Sequence, residues 1–263
     1  MQNLGVLNSE VISTTADIVK LGYSLPDAEY LTNLSLIGKT VGDLDNVSDS
    51  VDYLTSVLKG FNIQTDDAGK VLDYLNYVAD TTSLDFSDLG EGFKRMSAAM
   101  SEGNNDLKES AGLLVAGYDA VRNAETVSTA LKTTSMRLRG VDEEGNKLTG
   151  FIPKLESKFN SLGLTLKEDN TTFKSTFEIL KDVSTVWPQL TDAQRASLLE
   201  DISGKRNAQA IAAIIQNMST AVKVAGSFED SESSALIEHR KYMQGVEASY
   251  NKLKATMDEL HMQ

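Results

Sequence analysis

The chain has no cysteine, two histidines (His239 and His261), three prolines and one tryptophan in 263 residues. Without thiols it forms no disulfide, no thiolate zinc site and no cysteine nucleophile. The two histidines do not stand at the i, i+4 spacing of a helical zinc motif, and imidazole acid–base chemistry has little to draw on. Scarce proline and 6% aromatics suit helices better than a sandwich or barrel. Positive charge is also short: 25 Lys plus Arg against 38 Asp plus Glu gives a net charge of −13. So acidic a surface is a poor partner for phosphate backbones or anionic lipid, and specific nucleic-acid binding is not expected.

Long apolar runs are missing too. The longest uncharged stretch, between Arg206 and Lys223, carries Asn207, Gln209, Gln216, Asn217, Ser219 and Thr220. It is too short and too polar to span a bilayer and predicts a core helix. Met1 to Ser13 lacks a basic segment followed by an apolar stretch, so the expectation is a chain made and folded in a cytoplasm.

What the sequence does hold is helical periodicity. Val47, Val51, Leu54 and Leu58 form one stripe, stopped by Gly60. Val71, Leu72, Leu75, Val78 and Ala79 follow the acidic start Thr65-Asp66-Asp67. Leu89, Phe93, Met96 and Met100 make a third stripe, ended by Gly103-Asn104-Asn105. Leu107, Ala111, Leu114, Val115 and Tyr118 make a fourth. A fifth runs from about Ala124 to Leu138. Stripes of this length predict a bundle of short helices, preceded by two more that Ser24-Leu25-Pro26-Asp27 separates.

The pattern changes at Gly140. Val141 to Leu148, with Gly145-Asn146 at its tip, reads as a small β-hairpin. Pro153 to Ser161 reads as a short helix. Leu162-Gly163-Leu164-Thr165-Leu166 reads as a strand running into the turn Lys167-Glu168-Asp169-Asn170, and the two β pieces are expected to pair. Helix resumes at about Thr172 with Phe173, Phe177, Leu180, Val183 and Trp187 on one face and Pro188 closing it. Thr191-Asp192-Ala193-Gln194 is a capping box, Ile202 to Gly204 a corner, 207–222 an Ala/Ile-rich helix, and Gly226 to Ser234 a polar linker. The expected class is mainly α: a bundle of short helices with a small β-hairpin insertion and a C-terminal heptad helix. Its predicted parts are a helical bundle over 1–140, the hairpin-bearing insertion over 141–174, a helical continuation over 175–225, and a linker with the heptad helix over 226–263.

In that last part Leu236, His239, Met243, Val246, Tyr250, Leu253, Met257 and Leu260 alternate steps of three and four. This is a heptad seam of about three and a half repeats. It suits either self-association or docking on the bundle. His239 would titrate within such a seam; its plainer reading is a partly exposed residue at the helix start.

Other motifs carry no chemistry. Gly38-Lys39-Thr40 ends like a phosphate-binding loop, but Asn33 stands where the earlier glycine belongs. Asp43-Leu44-Asp45 and Asp142 to Asn146 look like fragments of calcium loops, with Val47 and Lys147 out of place. Lys132, Arg137 and Arg139 sit where cations offset a helix dipole, and Asp85, Asp88 and Glu91 suit a helix start. No catalytic residue, cofactor or metal site is expected.

The order of these pieces resembles a known family. Thr129-Ala130-Leu131-Lys132-Thr133, then Arg137-Leu138, a hairpin, Leu162-Gly163-Leu164 with an acidic turn, and Phe177-Glu178-Ile179-Leu180 resemble the core of phage tail tape measure proteins of the TP901 type. Leu190 to Asn217, with Gly204 at its centre, looks like that family's following helix pair. The resemblance covers roughly residues 8 to 222; Ser128 departs from the glycine often found there. It implies a structural protein that runs in several parallel copies through the tail lumen, sets tail length, scaffolds tube assembly and accompanies DNA ejection. Assembly would occur in the bacterial cytoplasm, with tail tube and tail-tip proteins as partners, homo-oligomers through the C-terminal heptads, and membrane contact only during ejection. A wholly helical chain of this length spans about 395 Å at ~1.5 Å per residue, and glycine-broken helices span much less. The expectation is therefore a globular core of a longer protein, with the heptads where a rod begins. The rival readings are a peptidoglycan-degrading tail enzyme and a cytoplasmic helical adaptor unrelated to virions.

Overall fold

The computed structural model describes residues 8–261, in which twelve α-helices follow one another with three short 3-10 turns. They are α1 (Asn8–Lys20), α2 (Leu25–Val41), α3 (Val47–Gly60), α4 (Ala68–Thr81), α5 (Phe86–Glu102), α6 (Leu107–Val121), α7 (Ala124–Arg137), α8 (Phe151–Ser161), α9 (Thr176–Val186), α10 (Asp192–Gln216), α11 (Met218–Gly226) and α12 (Ser234–His261).

Local sequence sets most of the starts. Ser24, Asp85, Asp106, Asn123, Ser175 and Thr191 each accept the backbone N–H three residues on, which satisfies a donor that the helix leaves free. At Asp106, Ser175 and Thr191 the third residue, Glu109, Glu178 or Gln194, reaches back to close a capping box. The apolar stripes converge on one cluster that runs from Ile18 to Ala235 and includes Tyr74, Phe93 and Phe159. Glycine sets the closest approach: a Cβ on Gly112 of α6 would collide with the Ala221 carbonyl of α11, so those helices pack backbone to backbone.

Four expectations are corrected. First, the β-hairpin is absent: among the described residues there is no strand, only isolated antiparallel bridges Val141–Lys147 and Lys167–Phe173, each closing its own loop. The two segments do not pair with each other. Each tip is organised by an aspartate instead. Asp142 accepts the N–H groups of Glu144 and Asn146, and Asp169 accepts those of Thr171 and Thr172, which curls the backbone before a ladder extends. Second, Leu162-Gly163-Leu164 is the stop that follows α8, not a strand. Gly163 takes φ +72°, and Leu164 N–H donates back to the Phe159 carbonyl, a glycine helix stop.

Third, helix α9 starts at Thr176, with Phe173 left in the preceding loop, and the Ala/Ile-rich helix is broken at Asn217. The Asn217 amide donates to the Ala116 carbonyl at 3.2 Å, anchoring the break on α6. Gly204 makes the expected corner, at φ 72° and ψ 162° inside α10. Fourth, the polar segment Gly226 to Ser234, expected as a linker, carries a 3-10 turn packed on α4. Phe228 lies 5.1 Å from the Tyr74 ring and Ser231 is buried.

Candidate functional site

Helix α12 packs its first turns on α2 and α4, and α4 supplies the polar contacts that fix it. Asp73 accepts the N–H groups of Ser233 and Ala235, both at 3.0 Å, and so caps α12 from another helix. One turn on, the Asn76 amide donates to Ser234 Oγ at 2.8 Å, Glu238 Oε2 at 2.9 Å and Asp80 Oδ2 at 3.2 Å. Partial burial, with the Glu238 carboxylate alongside, pushes the Asp80 carboxyl up to about 6. Burial also raises Asp73, against its backbone hydrogen bonds.

The eight seam positions fall into three groups. His239 is buried and Met243 half-buried against the bundle, while Leu236 is exposed and its neighbour Ala235 is buried in its place. His239 is therefore not a half-exposed residue at a helix start. Among the described residues its Nδ1 has no hydrogen-bond partner, and burial lowers its pKa. Val246 and Tyr250, next along the same stripe, are 43% and 65% exposed. The side chains of Leu253, Met257 and Leu260 lie outside the described residues; their backbone continues α12. Sequence reasoning missed Asp73, Asn76 and Asp80. The available signal was Asn76, a buried polar residue between Leu75 and Val78 on the apolar face of α4.

The other candidate motifs are used structurally. Asp142 and Asp169 are filled by their own loops' N–H groups, which hold Asp142 below the usual carboxylate range and Asp169 at about 2. Lys39 pairs with Glu10 at 3.1 Å. Asp85 caps α5 by accepting Asp88 N–H, and Glu91 pairs with Lys94. Arg137 donates to the carbonyls of Asp201 and Glu200 across Phe151, and Arg139 donates to the Lys174 carbonyl across Phe173. These arginines thus clamp neighbouring segments as well as standing near a helix end, and burial lowers Arg139 to about 10. Among the described residues no helix is long and apolar enough to cross a membrane.

Residues 2–204, most of the chain, match the family described as phage-related minor tail protein, and this supports a structural role in a phage tail. No solved structure matches the chain.

Proposed function

We propose that this chain, which belongs to the phage-related minor tail protein family, is the helical core module of a tape measure protein. In this reading it sits in the tail lumen in several copies, helps set tail length, scaffolds the tube and accompanies DNA out of the virion. The observation that carries the reading is the course of α12. Its docked seam positions, His239 and Met243, run on into the exposed Val246 and Tyr250 in heptad steps of four, three and four. A helix of 28 residues is about 42 Å long at ~1.5 Å per residue, so α12 outruns the face on which it starts. An apolar stripe leaving a bundle in this way fits a rod shared between copies.

Tail tube and tail-tip proteins are the remaining partners of this reading, and assembly takes place in the bacterial cytoplasm. The test of the lumen placement is immunogold labelling of intact and opened tails with antibody against the bundle. Label on opened tails alone is the expected result; label on the outside of intact tails, or none on either, contradicts it.

A further inference from the structure

The fold divides the seam. At the start of α12, which packs on α2 and α4, His239 is buried and Met243 half-buried, whereas the seam positions Leu236, Val246 and Tyr250 are exposed. From Val246 to Leu260 the pattern holds about two heptads, whereas a coiled coil is credible from about three to four. Only with the docked turns added back does the seam reach that length. Pairing over the whole seam therefore requires α12 to leave its own bundle.

The contact that holds α12 down is built for reversal. The Asn76 amide has two hydrogens for three acceptors: Ser234 Oγ, Glu238 Oε2 and Asp80 Oδ2. Two carboxylates therefore share one incomplete donor across the α4–α12 joint. Tyr77, Asp80, Asp230, Glu232, Glu238 and Lys241 line the cleft beside it, four acids against one cation. His239 is buried without a partner for Nδ1 among the described residues, so the docked state leaves it a hydrogen bond short of what water supplies. The opposing attraction is the Asp73 carboxylate on the N–H groups of Ser233 and Ala235, together with apolar burial of Ala235.

We propose that the α4–α12 contact is an autoinhibitory latch that withholds His239 and Met243 from the seam, and that a second copy of this chain competes with α2 and α4 for those positions. This rests on the reading of the seam as a copy–copy contact. Before release each chain keeps those positions to itself; after release they join the heptad pattern of Val246 to Leu260 in one continuous interface.

Two substitutions outside the seam test it in opposite directions. Asp80→Asn removes one of the two facing carboxylates and tightens the latch; because Asp80 is partly in water, the effect is several-fold. Asp73→Ala removes the cap and loosens it. In sedimentation velocity over a concentration series at neutral pH, the association midpoint should rise several-fold for Asp80→Asn and fall at least several-fold for Asp73→Ala. Amide exchange over 235–243 should slow and quicken correspondingly. Leu253→Asp is the control and should abolish association in every background. If Leu253→Asp abolishes association while Asp80→Asn and Asp73→Ala leave the midpoint where it was, the latch is overturned and the seam stands. If association survives Leu253→Asp, or all forms stay monomeric, the seam reading falls and the latch with it.

Discussion

The Tyr74 hydroxyl donates a 3.0 Å hydrogen bond to the carbonyl of Val224, tying the middle of α4 to the last turn of α11 across 150 residues of sequence. Tyr74 is fully buried, and its ring packs against Phe228, so the tie is covered from water. Tyr74→Phe keeps the ring and removes the bond. It should cost about 0.5–1.5 kcal/mol, the net worth of one hydrogen bond, because the Val224 carbonyl still accepts the Ser227 N–H and hydroxyl. Urea unfolding at constant m-value checks this.

Two glycines should respond in opposite ways to alanine. Gly112→Ala drives a Cβ into the Ala221 backbone and must push α6 and α11 apart, at about 1–3 kcal/mol. Gly245 lies within α12 with open space around its would-be Cβ. There alanine should raise helix stability by about 0.5–1 kcal/mol, seen as slower amide exchange along α12. A stabilising Gly112→Ala would contradict the close packing of α6 on α11.

Glu109 sets a pH dependence. Burial, and then the neighbouring Asp106 carboxylate, hold it up to about 7, and it accepts the Ser175 hydroxyl at the α6–α9 junction. A carboxyl raised in the folded state contributes stability that is full below its unfolded value near 4.5 and is lost as pH rises through about 7. Glu109→Gln retains a capping-box acceptor without the charge. The variant should melt higher than the parent at pH 8, by a stability gain on the order of 1–2 kcal/mol, and the difference should shrink towards pH 5. Equal melting at both pH values would contradict the assignment. His239, lowered by burial, works in the other sense below 6.5 and is common to both proteins.

The two aspartate-closed loops should open one at a time. Asp169→Ala removes the acceptor of Thr171 and Thr172 N–H, so exchange of those two amides should quicken at least tenfold. The tip over 142–146 should be unaffected, and Asp142→Ala should give the reciprocal result. Coupled loss of both loops would point to the paired sheet that the structure lacks.

Helix positions were legible because capping residues and apolar spacing act within one or two turns. Ser24, Asp85 and Thr191 announce their helices in the same few residues that form them, whereas sequence reasoning missed the capping boxes at Asp106 and Ser175 and expected the α9 start too early. The β expectation failed for a physical reason of the same kind. Gly145-Asn146 and Gly163 signal positive φ, which serves a hairpin, an aspartate-closed loop or a helix stop equally well. The choice is made by Asp142, Asp169 and the Phe159 carbonyl. The α12 joint was harder still. Asp73 and Asn76 lie about 160 residues from Ser233 and Ser234, and no local pattern connects them. The seam was visible as a period, but not that the bundle would cover His239 and Met243 within it.

The most direct test of the structural role is tail length, measured by electron microscopy over a series of in-frame deletions and insertions in extended helical segments of the parent tape measure gene, outside this bundle. A ruler built of helix predicts a linear change of about 1.5 Å of tail per residue removed or added. Tails of constant length across the series, with the protein still incorporated, would contradict the tape-measure reading.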